Sequence, residues 1–138
     1  MSPRPIGAPR GSETVLLMDT DPEIRKLAAF MLGKQGYTVL EARNRAEAIS
    51  LLDGRSDDIE LLLLEAKGRG YELAKELQQS QPQVPVLFLC SDSPRGSLSG
   101  LEPEAPFLKK PFTMHDIAGK VREALDSRNK TMAASGAA

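Results

Sequence analysis

Apolar residues in this chain fall into two kinds of group. The first is the short unbroken run: residues 15–18, 61–64 and 86–90. Such runs fit strands buried on both faces of a parallel sheet. The central one is Leu61-Leu62-Leu63-Leu64, closed by Glu65 and by the glycines of Gly68-Arg69-Gly70. Periodicity alone does not separate a short apolar run from buried helix, but these tight bounds favour a strand. Residues 37–42 and 107–108 add two further strands.

The second kind of group has helical spacing. Ile24, Leu27, Ala28, Met31 and Leu32 form one face, and Ala48, Ile49, Leu51 and Leu52 a second. Leu73, Ala74 and Leu77 mark a third helix, and Ile117, Val121, Ala124 and Leu125 the last. Start and stop signals agree with these helices. Asp21 suits an N-cap, Pro22 the first helical position and Glu23 the positive end of the helix dipole. Asn44 with Glu47, and Thr113 with Asp116, read as capping boxes. Gly36 and Gly54 read as helix ends.

Strands alternate with helices five times, which predicts an α/β fold: a parallel sheet with helices on both faces. The irregular stretch is 91–106, with Pro94, Gly96, Gly100, Pro103 and Pro106, so a fourth helix there is short or missing. Residues 1–12 are Pro- and Gly-rich and read as a disordered tail or linker. Residues 13–128 form the domain, and 129–138 read as a disordered C-terminal tail.

Composition narrows the function classes. A chain of 138 residues supports one domain with a real core. With a net charge of −1, nothing global points to nucleic acid or an anionic membrane. Cys90 is the only cysteine, which excludes an intrachain disulfide and a CxxC metal pattern. A reducing, cytoplasmic setting is expected. No apolar run approaches the roughly 18–20 residues that span a bilayer, and no secretory leader is evident.

In an open α/β sheet, ligands bind at the carboxyl ends of the strands. Asp19 and Glu65 end the first and central strands there. The segments LLMDTDPEIR at 16–25, LLLLE at 61–65, PVLFLCS at 85–91 and FLKKPF at 107–112 give the chain its family likeness. It resembles the receiver domain of two-component response regulators. That resemblance implies a flavodoxin-like (βα)5 doubly wound fold with strand order 2-1-3-4-5. It also implies a phosphoryl-accepting pocket at the ends of strands one, three, four and five. Lys110 matches the family's lysine and Phe107 its switch aromatic, and the Lys110–Pro111 bond is one that receivers typically hold cis.

Phosphoryl acceptance needs an in-line aspartate, a magnesium ion with oxygen ligands, a lysine and a hydroxyl. The sequence departs from that set. Glu65 stands where receivers carry the accepting aspartate, which displaces the carboxylate by about 1.5 Å. Thr20 replaces one member of the usual acidic pair after Asp19. Cys90 stands at the usual Thr or Ser of strand four, and a thiol is a weak donor. The turn after the acceptor, 66–70, is altered, so the carbonyl that would complete a metal shell is in question.

The expected degenerate pocket is therefore Asp19, Thr20, Glu65, Cys90 and Lys110. No catalytic residue, cofactor or metal is expected, with Asp19 and Glu65 a poor set for magnesium. Three states of Glu65 stay open: a built-in mimic paired with Lys110, an inert side chain at a solvated strand end, or a weak acceptor. For Cys90, a buried apolar role stands against a thiolate activated by Lys110. The expected function is a non-enzymatic pseudo-receiver of a two-component or phosphorelay system. It would act by docking on a histidine kinase or a downstream signalling protein. The alternatives are a weakly phosphorylated relay receiver and a flavodoxin-like nucleotide or flavin binder. Pathway and oligomeric state are left open.

Overall fold

A computed structural model describes residues 11–55, 58–66, 70–90 and 106–137, with side chains to residue 127. Five strands form one parallel sheet: β1 (Thr14–Met18), β2 (Thr38–Ala42), β3 (Ile59–Glu65), β4 (Val86–Cys90) and β5 (Phe107–Lys109). Their order is β2-β1-β3-β4-β5, and every neighbouring pair is parallel. The helices described are α1 (Pro22–Lys34), α2 (Arg45–Arg55), α3 (Gly70–Ser80) and α4 (Met114–Ala137). The expected short or missing helix between β4 and β5 falls outside the described residues.

Side chains alternate across the sheet, and the apolar runs divide accordingly. Leu16, Met18, Leu62, Leu64 and Phe88 join one core cluster with Leu52, Leu73 and Leu77 from α2 and α3. Val15, Leu17, Leu61, Leu63 and Leu87 join the other, with Ala28 and Leu32 of α1 and Ile117 and Val121 of α4. Burial on both faces is why the strands read as unbroken apolar runs rather than as alternating ones.

Local signals set the helix starts. Asp21 accepts from the Glu23 and Ile24 amides at the head of α1. Asn44 accepts from the Glu47 amide at 2.9 Å. Thr113 and Asp116 close a reciprocal capping box, at 2.9 and 3.1 Å. Gly36 takes φ +100° after α1, a conformation that favours glycine.

Four expectations are corrected. Leu27 is 43% exposed while Arg25 is only 6% exposed. The buried face of α1 is thus rotated toward Arg25, whose partners hold it inward. Gly54 does not end α2, which continues to Arg55. The last helix runs on to Ala137, past the expected boundary at 128. Met132, Ala133 and Ala134 are good helix formers, and a preformed helix needs only propagation. At the other end, Gly11, expected within the disordered tail, donates its amide to the Gln35 carbonyl at 3.0 Å.

Below the amino end of the sheet, Arg122 of α4 grips Glu13 at 2.6 Å and also meets Tyr37 Oη and Asp126. The Arg122 guanidinium holds the Glu13 carboxyl below the usual range. This clamp ties the start of β1 to α4.

Candidate functional site

The carboxyl edge of β1, β3 and β5 gathers four of the five expected pocket residues. Asp19 follows β1 and is fully buried; Glu65 ends β3 and is 7% exposed. Lys110 follows β5, placed there by its amide, which donates to the Cys90 carbonyl at 2.8 Å; the Lys110–Pro111 peptide is cis. Thr20 lies at the exposed rim.

The polar contacts form one connected set. Lys110 Nζ stands 2.8 Å from Asp19 Oδ2 and 3.7 Å from Glu65 Oε2. Asp19 Oδ1 accepts from the Asp21 amide at 2.9 Å. Its Oδ2 has no aligned hydrogen-bond donor among the described residues, so its compensation is the charge of Lys110. Thr20 Oγ1 donates to Glu65 Oε1 at 2.8 Å, and the Thr20 amide approaches the same oxygen at 3.4 Å. The Asp21 side chain is taken up by the α1 cap.

Two sequence expectations change here. Glu65 is not at a solvated strand end; it is buried and bonded. Nor is it the main partner of Lys110, which lies closer to Asp19. The sequence reading missed the Thr20–Glu65 hydrogen bond. Its signal was the joint substitution: a hydroxyl where an acid is usual, opposite a carboxylate one methylene longer.

Cys90 sits in the apolar cluster with Phe88 and Leu64. Burial raises its thiol pKa, and the nearby Lys110 charge only partly opposes this. This placement fits the buried apolar role. Phe107 is half-buried against the same cluster. Ser91 and the 67–69 turn lie outside the described residues. Among the described residues, no three His, Cys, Asp or Glu side chains are placed to hold a metal, and no helix is long and apolar enough to cross a membrane.

The comparisons with known proteins match this geometry. Residues 15–122 match the family model described as "Response regulator receiver domain". The chain belongs to the response regulator receiver domain family. It is 36% identical over 119 residues to the transcriptional regulatory protein CpxR of Klebsiella pneumoniae subsp. pneumoniae (strain HS11286), covering 80% of this chain and 48% of that protein. It is 27% identical over 124 residues to the sensor kinase CckA of Brucella abortus (strain 2308), covering 86% of this chain and 13% of the kinase. The chain thus spans about half the length, or less, of these curated relatives. In fold it matches a receiver domain protein from Clostridium thermocellum, with TM-score 0.76 and 19% identity over 86% of this chain and 98% of that one. As a receiver, the chain is a module of two-component signalling, a generally non-catalytic role, and receivers as a class interact with histidine kinases and phosphorelay partners.

Burial raises the Glu65 carboxyl pKa; the Thr20 hydrogen bond opposes that, and the neighbouring Asp19 carboxylate adds to the rise. A raised value in the folded state means that the fold binds this proton more tightly than the unfolded chain does. Its stabilising contribution is therefore full below the ordinary glutamate range and is lost as pH rises through the folded value. Above that value the ionised Glu65 is a net cost. Glu65→Gln keeps an acceptor for Thr20 and adds a donor for Asp19. It should stabilise the domain at neutral pH by on the order of 1 kcal/mol. That advantage should shrink as the medium is acidified. Urea melts of both proteins across pH check it; a glutamine variant less stable at neutral pH contradicts it.

Proposed function

We propose that this receiver is not switched by aspartyl phosphate and works as a docking module whose pocket is held by its own side chains. The observation that carries this reading is the engagement of both pocket carboxylates. Asp19 faces Lys110 at 2.8 Å, and Glu65 is bonded to Thr20 at 2.8 Å. The oxygens that would attack phosphorus or bind a cation already have partners.

The residues do not fit a magnesium site. Magnesium takes six oxygens in a near-octahedral shell. Here the oxygens left to Asp19 and Glu65 both face the Lys110 ammonium, which supplies the positive charge itself. The carboxylate that Thr20 replaces is lost from the shell. The acceptor is also weakened, because the added methylene displaces the Glu65 carboxylate. Errors of about 1 Å can cost about a hundredfold in rate.

The partners we infer are proteins: a histidine kinase or a downstream signalling component. The similarity to both a transcriptional regulator and a sensor kinase supports either setting for the module. The test is incubation with acetyl phosphate and magnesium followed by intact mass measurement. The reading expects no phosphoryl adduct, and a stoichiometric adduct on Glu65 overturns it.

A further inference from the structure

The three-residue loop after β1 carries two of the pocket residues, Asp19 and Thr20, and its backbone is gripped from several sides. The Asp19 amide donates to the Ala42 carbonyl at 3.3 Å. The Thr20 amide approaches Glu65, and the Asp21 amide donates to Asp19 Oδ1. The Asp19 carbonyl accepts from Arg25 Nη1 at 2.9 Å, in a fully buried hydrogen bond. Arg25 Nε in turn lies 3.2 Å from Glu41 Oε1 on β2. Arg25 is therefore a buried strut between the carboxyl end of β2 and the pocket loop. Its side chain is 7% exposed, and Glu41 at its far end is 40% exposed.

We propose that Arg25 is a positioning residue: it fixes the Asp19–Thr20–Asp21 loop so that Thr20 meets Glu65 and Asp19 meets Lys110. This rests on the reading of a pocket held by its own side chains. The chemistry favours arginine for the task. A guanidinium offers donors in a rigid planar fork, so one group serves the Asp19 carbonyl and the Glu41 carboxylate together. A lysine has a single ammonium on a flexible stem and cannot hold that fixed span. The buried carbonyl otherwise loses a charge-assisted bond, and an unsatisfied buried acceptor destabilises its surroundings.

The test is amide hydrogen exchange, residue by residue, on the whole chain. In Arg25→Met, the Thr20 and Asp21 amides should exchange at least tenfold faster. Leu63 and Leu87, deep in the sheet, should change only as far as global stability does. Arg25→Lys should recover only part of the protection. Glu41→Gln keeps an acceptor for Arg25 and should stay near wild type, whereas Glu41→Ala should loosen the loop. The Glu41 pair keeps the test open if Arg25→Met fails to fold. Wild-type protection of Thr20 and Asp21 in Arg25→Met, or in Glu41→Ala where Arg25→Met does not fold, overturns the proposal. So does a loss spread evenly over the sheet. None of these outcomes depends on whether acetyl phosphate labels Glu65, so failure here is distinct from failure of the docking-module reading.

Discussion

Lys110→Met is expected to destabilise the domain by about 3 kcal/mol or more at neutral pH, because removing one partner of a buried ion pair strands the other charge. The stranded groups are Asp19, with no exposed surface, and Glu65, nearly as buried. Methionine keeps most of the apolar stem, so the loss reports charge rather than packing. The Asp19 Oδ2 atom has no other aligned donor among the described residues. The penalty should fall as the medium is acidified, since Glu65, whose neutral form burial favours, no longer needs the ammonium once protonated. Combining Lys110→Met with Glu65→Gln should cost less than the sum of the two effects predicts, because one of the two repelling carboxylates is gone. Denaturant unfolding at several pH values reads all three. A pH-independent loss would mean that Lys110 acts only through its stem.

Gly70→Ala is expected to cost a comparable amount, for a steric reason. A Cβ at Gly70 would collide with the Glu65 carbonyl oxygen and lie 2.8 Å from its carbon. Both are backbone atoms, so no side chain can swing away. Relief requires moving the first turn of α3 or the end of β3. That end is pinned by the Ala66 amide, which donates to the Leu89 carbonyl at 2.9 Å. Overpacking of this kind typically costs about 1–3 kcal/mol, occasionally more, and the backbone contact puts this case at the upper end. Thermal melts should show a shift of several degrees, on the order of 4 °C per kcal/mol for a domain of this size. A variant with unchanged melting would show that the β3–α3 junction yields easily. The glycine is thus where the fold lets α3 start directly beneath the pocket carboxylate.

Much of the fold was legible in the sequence because its signals are local or periodic. Unbroken runs at 61–64 and 86–90 mark doubly covered strands, and Asp21, Asn44 and Thr113 mark helix starts through contacts within three residues. The strand order came from the family likeness, and the structure shows it. What escaped depends on contacts between distant residues. Helical spacing put Leu27 inward, but the bonds from Arg25 to Asp19 and Glu41 turn α1 so that Arg25 is buried instead. A charged residue in a helix ordinarily reads as solvated, and nothing within the helix signals its partner 16 residues away. The structure brings Asp19, Thr20, Glu65 and Lys110 together, but which of them pair was not legible. A Glu65–Lys110 pair was one of the states left open, and Lys110 lies nearer Asp19, while Thr20, read as a loss, donates to Glu65. Charge and size fix which residues meet at a strand end. Which of them touch follows from register and from where the α1 loop is held.

The direct test of the central claim is a magnesium titration of the folded protein, followed through the Thr20 and Asp21 amide resonances. With the Lys110 ammonium already set between the two carboxylates, physiological magnesium should leave both resonances and the melting temperature unchanged. A saturable shift of those amides, with a matching rise in melting temperature, would contradict the account: the ammonium would then be yielding its place to the metal that phosphoryl acceptance requires.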